Sequence, residues 1–599
     1  MSRFFAALFL FIVVHIFLLF PAISKAQTQP EFAFEKQIQL DLSVDDISYT
    51  IKFSDLNIEG GNASQNEIFA AIDAGDEAQL RKILNAASIL VPLIEIEVGI
   101  TADESRLNNK VRFENLSFRQ VKNGIAQTAT IKEYRESQSH FLGRDDPIDP
   151  IRVAYHDVSF AQFDILAALL EKQLITQQHS NILPLLYAAL HVERVEVSGM
   201  EFGCTAQNVV ATNIVAKNNK IPGDVAAALL AHDASEENPE LNPDASTTKL
   251  IYEALFQEVA GTQFDAYSAQ SANCTSGFGG LLSIQIDQIV ADKAADGRLG
   301  NFTLRDIFLD GEEYGGGVFS LGELTLKPMD FKHVIENLQN IEDFTFEDLA
   351  NDSSFLTPQM DGIAAKKLHL SSPRWGYLNG SADLTLGAHR NEVPTKIQLS
   401  LSDMMLGVHP DTFSNNAFHG LLEKFFNFRV ANINLDMVWQ EDQQLVQVNE
   451  ISVDVSPGIN VQLNAQLSGA DSILFSGNAA AAAMSAITLK LDRFEVKSSI
   501  DENAFMYSEG TENRSLTQQE LELSAAQAIA LYSDVLAEHF TAEQMTAQMK
   551  SFVEGKSELQ LIARAKKASV PVGLIQFIIK DPTLFAQYFE VEKLNFISL

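Results

Sequence analysis

The 599-residue sequence predicts an α+β fold: β-rich, antiparallel, twisted sheets with amphipathic helices packed on one side, ending in a helical C-terminal region. Three observations carry this expectation. Short runs alternate apolar and polar residues, as in Ile38-Gln39-Leu40-Asp41-Leu42, Ile397-Gln398-Leu399-Ser400-Leu401 and Ile451-Ser452-Val453-Asp454-Val455, which is the two-residue period of a strand with one wet face. Turn formers punctuate these runs, at Gly60-Gly61-Asn62 and Ser456-Pro457-Gly458, as hairpins require. Apolar residues at helical spacing fall within 65–87, 163–174, 183–190, 224–231, 248–259, 331–338 and 417–426.

Taken from the N-terminus, the first element is a signal peptide, residues 1–26. Arg3 precedes an apolar run over 4–20, Pro21 breaks it, and Ser24 and Ala26 place small residues where a signal peptidase reads, so cleavage is expected after Ala26. The competing reading is an uncleaved anchor, because 17 residues nearly span a hydrocarbon core of about 30 Å. No later stretch is long and apolar enough to cross a bilayer as a helix, so no membrane span is expected after cleavage.

Residues 27–203 read as an N-terminal α+β domain, and 204–280 as a helical insertion that is Ala-rich, carries the polar linker around Pro239 and Pro243, and holds both cysteines. Residues 281–516 read as a β-rich domain. Residues 517–599 read as helices and a closing strand, because Thr517 with Glu520 and Thr541 with Gln544 match the capping box that opens a helix. The second of these helices is expected to end near Gly555. A helix passing directly into a Val-x-x-apolar-x-apolar strand recurs at Val192, Val430 and Val591, which fits a reused helix-strand unit and equally the chance convergence of a common helix-strand junction.

Cys204 and Cys274 are the two cysteines of the chain, and in an exported protein such a pair predicts one disulfide closing a loop of about 70 residues. Net charge excludes some partners. The first 26 residues hold Arg3 and Lys25 and no acid, so the formal charge goes from −36 to −38 on cleavage. A surface that acidic repels phosphate backbones, so no nucleic-acid partner is expected. Forty phenylalanines against 2 tryptophans favour extensive apolar packing or an apolar groove.

The sequence lacks the serine-hydrolase elbow, the zincin helix, the phosphate loop and a strand-linked dinucleotide fingerprint. No catalytic residue, metal site or cofactor is therefore assigned. His389 and His409 have no ligand spacing; the acidic loops starting at Asp292 and Asp310 offer carboxylates beside glycines without a calcium-loop pattern. Trp375, Tyr377 and Trp439 near strand ends fit a core edge better than a sugar site. The expectation is an exported envelope protein of the periplasm or cell exterior, non-catalytic, that scaffolds or carries an apolar ligand such as a lipid, with a lipid or another envelope protein as partner. The alternative is a secreted hydrolase acting on glycans or peptides through dispersed carboxylates.

Overall fold

The computed structural model describes residues 38–599 except 45–46, 55, 75, 103–104, 143–151, 168–184, 199–201, 216–262 (other than 249, 252, 253 and 256), 277–281, 311–316, 341–357, 373–375, 391–392, 409–429, 457, 476–478, 502–506, 510–511, 515–539, 567–569 and 576–583. The chain divides into two compact units, residues 1–309 with 328–359, and residues 310–327 with 360–599. Most described residues are in antiparallel strands, and helices are few.

The first unit is a meander in which nearly every strand pairs with the next. Its strands are β1 (Ile38–Val44), β2 (Ile47–Phe53), β3 (Asn57–Glu59), β4 (Ala86–Ala102), β5 (Ser105–Lys122), β6 (Ile125–Leu142), β7 (Arg152–Asp164), β8 (Leu185–Ser198), β9 (Phe202–Val215), β10 (Phe264–Ser276), β11 (Leu282–Ala295), β12 (Arg298–Leu299), β13 (Phe302–Asp310) and β15 (Met329–Asp330). Tight turns explain the order: Asn123 and Gly124 between β5 and β6, and Asp296 and Gly297 between β11 and β12, all take positive φ, the Asn-Gly and Asp-Gly chemistry of two-residue hairpins. Gly124 has no alternative, because a Cβ there would lie 1.9 Å from Leu166 Cδ1.

These strands are long, yet they do not alternate strictly. Along β7 the inward residues are Val153 and Tyr155, then Val158 and Phe160, then Phe163, so the inside face slips by one residue after every second inward position. The slips coincide with residues of positive φ, Asn115 and Gln120 in β5, Asp157 and Gln162 in β7, and Asn208 and Asn213 in β9. The register aligns them across the sheet. One line runs through Pro92, Asn115, Lys132, Asp157, Glu193 and Asn208, and the other through Ala87, Gln120, Gln127, Gln162, Ala188 and Asn213. The sheet is thus creased twice, and short polar side chains that tolerate left-handed backbone sit at most of the creases. The five-residue interval between creases returns the apolar residues to the same face each time.

That face is the core. Ile89, Val91, Phe118, Val121, Ala126 and Ala129 pack with Leu166 and with Ile68, Leu80 and Leu84 from the helices α1 (Gln65–Asp73) and α2 (Glu77–Ile83). The Asp76 carboxylate caps α2 by accepting from Gln79 N at 2.9 Å. A further helix of the unit, α3 (Lys332–Asn340), buries Val334 and Leu338.

The second unit is also a meander, β14 (Val318–Leu326), β17 (Gly362–Ser372), β18 (Gly376–Arg390), β19 (Val393–Val408), β20 (Val430–Gln440), β21 (Leu445–Ser456), β22 (Ile459–Ser468), β23 (Lys490–Ile500), β26 (Ser557–Ala565) and β28 (Phe589–Ser598), each hydrogen-bonded to the one before. Short pieces complete it: β16 (Gln359–Met360) at the junction of the two units, the hairpin β24 (Tyr507–Glu509) and β25 (Glu512–Arg514), and β27 (Val570–Pro571) beside β23. Helices α4 (Ala479–Thr488), α5 (Ala542–Val553) and α6 (Phe585–Tyr588) lie between strands. Thr541 and Gln544 form the capping box that starts α5.

The expected fold class is therefore corrected. The protein is a predominantly antiparallel β structure with few helices, and its C-terminal part is not a helical region: β26, β27 and β28 extend the sheet around α5 and α6. Residues 183–190, expected as helix, begin β8, whose buried residues Tyr187, Leu190, Val192, Val195 and Val197 are spaced alternately by three and two. A spacing of three mimics a helical step, and the crease produces it in a strand. Likewise 65–87 is two short helices followed by the start of β4, and 163–174 begins as the end of β7 and turns helical over 165–167, its remainder lying outside the described residues. Only 331–338 matches closely, as α3. The described members of 248–259 are helical, while 224–231, 417–426 and 517–539 lie outside the described residues, as does the signal peptide with Ala26.

Candidate functional site

Unit two alternates without the regular double crease, and its register builds uniform rows across the strands. One row reads Leu384, Leu399, Leu435, Ile451, Leu463, Val496, Leu561, Leu594 from β18 to β28, each residue directly beside the next. A second, two residues along each strand, reads Ala382, Leu401, Ile433, Val453, Val461. Between them on the opposite face lies Asp383, Ser400, Asn434, Ser452, Gln462, Lys497, Gln560, Asn595. There Ser400 Oγ donates to Asn434 Oδ1 at 2.9 Å and Asn434 Nδ2 donates to Ser452 Oγ at 3.1 Å. The sheet therefore has one largely apolar face, where Ser498 follows Val461 in the second row, and one polar face.

The ends of the apolar face are closed. At one end Trp439, Val446, Val448, Ala465 and Leu491 are buried under Phe475 and Phe589, with the Trp439 and Phe475 rings stacked at 4.1 Å. The indole Nε1 donates to Ala470 O at 3.0 Å, so the polar edge of Trp439 is satisfied inside the core. At the other end Ala431, Val455 and Ile500 are buried. On the last strand Leu594 is covered by Met545 of α5. Between these covers the two central rows remain only half-buried from Leu384 to Leu561. At about 4.8 Å per strand, the seven strands from Leu384 to Leu561 make a trough about 29 Å long, and its two rows hold no charged residue. A surface of this kind has no acid, base or nucleophile; what it offers is apolar area, to which an apolar ligand adds at about 25 cal/mol per Å² removed from water.

The first unit's interior carries a different feature. Glu136 is 2% exposed on the apolar face of β6, where Tyr134 Oη donates to its Oε2 at 2.8 Å. Tyr155 lies in the same interior, near Glu136, Tyr267 and Tyr187, and burial raises its phenol well above the usual range. Tyr267, 1% exposed, is raised by burial too. These phenols stay protonated, and the group forms a polar spine within an otherwise apolar core.

Cys204 and Cys274 are directly opposed on β9 and β10, Cα atoms 4.1 Å apart, and joined in a disulfide. The bridge thus links neighbouring strands of the meander, and the two ends of the segment 204–280 are strands. His389 lies on β18 opposite Pro394, and Tyr377 opposite Gly407. Asp292 accepts from Asn301 Nδ2 at 2.9 Å, and Asp296 with Gly297 makes the hairpin turn. His409, Trp375 and most of the loop after Asp310 lie outside the described residues. Among the described residues there is no cluster of three His, Cys, Asp or Glu side chains that could hold a metal ion, and no helix is long and apolar enough to cross a membrane. Glu67, Glu495 and Glu554 are all held below the usual carboxylate range, by hydrogen bonds from Ser64, Gln560 and Lys556 respectively. The apolar rows were within reach of the sequence, since every strand that forms them alternates; what the sequence does not display is which of their members stay uncovered.

No protein-family model matches the chain, and no curated protein matches it.

Proposed function

We propose that the protein is an exported, non-catalytic envelope protein that carries an apolar ligand of lipid type along the trough of its second unit. The observation that supports this is the pair of half-buried apolar rows, Leu384 to Leu561 and Ala382 to Val461, beside rows that contain fully buried members, Val448, Ala465 and Ala563 on one side and Ala431, Val455 and Ile500 on the other. Leaving this much apolar area in water is unfavourable unless something occupies it. A trough about 29 Å long exceeds the roughly 15 Å that an acyl chain spans in half of a 30 Å hydrocarbon core, so it accommodates a chain laid across the strands. The disulfide fits an oxidising compartment, and the mature charge of the chain suits a soluble carrier.

The test is native mass spectrometry of the mature protein purified from its own host's envelope, followed by denaturing extraction. A bound lipid-sized mass that is lost in Leu399→Asp and Leu435→Asp is the expected result. A bare polypeptide of unchanged fold, in the wild type, removes carriage.

A further inference from the structure

We propose that the turn and helix closing one end of the trough dock on a zwitterionic lipid surface, so that this end of the second unit is where an apolar ligand passes between bilayer and protein; the inference rests on the carriage reading. The 3-10 turn Ser472–Phe475 and α4 form a compact cap. Its inner side belongs to the core: Phe475 stacks on Trp439, Leu474 and Leu489 pack beside it, and Ser485 Oγ donates to Asp471 Oδ1 at 2.8 Å. Its outer side is apolar and wet. Met484 is 69% exposed, Ile487 63% and Ile473 49%; among the described residues only Leu599, at the C-terminus, is a large hydrophobic side chain as exposed as the first two.

Charge points to the partner. From Ser472 to Leu489 the sequence has no charged residue, in a chain with 79 acids and 43 lysines and arginines. The nearest acid, Asp471, is turned inward, accepting from Ser485 Oγ and from the backbone of Ile473 at 3.0 Å. So acidic a chain is repelled by anionic headgroups, but this cap meets a neutral surface without desolvating a charge, and Met484 and Ile487, three positions apart on α4, present one apolar stripe to it. Phe475 of the cap shares one cluster with Trp439, and against that cluster pack Met437 and Ile451, the last of which belongs to the trough's central row. A lipid surface met here is therefore adjacent to the apolar rows.

The test is flotation of the mature protein with phosphatidylcholine vesicles. Wild-type protein is expected to float with them at low and high salt alike, and the double variant Met484→Glu with Ile487→Glu to lose at least about tenfold in partitioning. Met484→Trp supplies a second readout, a blue-shifted emission on vesicle addition. Wild-type protein that stays with the soluble fraction overturns the proposal, as does a double variant that floats unchanged; binding that appears only with a protein present in the vesicles overturns it in favour of a protein partner. The bound-lipid measurement is independent: lipid content without flotation sinks the docking alone, and flotation without lipid content sinks carriage alone.

Discussion

Leu435 and Leu491 belong to the same unit and the same apolar face, and replacing each by alanine separates an open trough from a filled core. Leu491 is 8% exposed and packs in the cluster that holds Trp439 and Phe475. Removing its three carbons from a close-packed site costs about 2–5 kcal/mol, transfer plus cavity. Leu435 lies in the central row, half-buried, with Leu399 and Ile451 directly beside it. Its truncation leaves no cavity, and only part of its area was removed from water on folding, so the cost is about 1 kcal/mol. Trp439 reports the unfolding of this unit directly, and a Trp375→Phe background leaves it as the single indole of the chain. With a urea dependence of about 2 kcal/mol per M, Leu491→Ala lowers the midpoint by about 1 M or more and Leu435→Ala by about half that or less. The ligand-free protein is the one to measure. Equal shifts for the two variants would mean that the central row is as well packed as its flanks, and the trough would not exist.

Three further outcomes follow from the geometry. Gly124→Ala, forced to φ +78° and placed 1.9 Å from Leu166 Cδ1, is expected to destabilise the first unit by about 1–3 kcal/mol, read as a lower midpoint of thermal unfolding; an unchanged midpoint would contradict the close approach. Thr541→Ala removes the capping box of α5 and is expected to cost about 1 kcal/mol, seen as faster amide exchange over Ala542–Val553, with no change elsewhere. Glu495 is held below its ordinary value of 4.5, first by the Gln560 hydrogen bond. A carboxylate with a lowered folded-state pKa stabilises the fold above its unfolded pKa and loses that contribution as pH falls through the folded one. Gln560→Leu is therefore expected to flatten the acid side of the stability profile below about pH 4.5, and an unaltered acid limb would remove Glu495 from the account.

The two units differ in how plainly their sequences speak. Stretches such as Ile397–Leu401 and Ile451–Val455 keep a strict period of two because no register shift falls within them, and their faces can be read residue by residue. The creased strands obey another rule, apolar at intervals of two and three in turn, because one residue of each interval sits at a bend. Judged against a period of two or 3.6 such a run fits neither, and Tyr187, Leu190 and Leu183 then look helical. The crease residues themselves are legible afterwards: Asn115, Asp157, Asn208 and Asn213 are the types that tolerate left-handed backbone, but in a sequence they resemble any polar residue of a wet face. Cys204 and Cys274 raised the possibility of a bridge by their number alone; that they face each other on neighbouring strands depends on a register set by residues up to 70 positions apart. The trough was hidden for a related reason. Leu435 and Leu491 are the same residue in similar alternating runs, and it is the cluster built around Trp439 and Phe475, which holds only the second of them, that tells them apart.

The bridge between β9 and β10 also sets how this protein tolerates damage. The chain between Cys204 and Cys274 leaves one strand and returns to its immediate neighbour, so a protease clip anywhere along that excursion creates two new termini but no loose fragment. Covalent linkage and the β9–β10 ladder hold the two pieces in register, and the halves of the first unit stay one molecule until a reductant reaches the sulfurs. In a compartment rich in proteases and poor in thiols, that turns the longest detour of the meander from its weakest point into an expendable one.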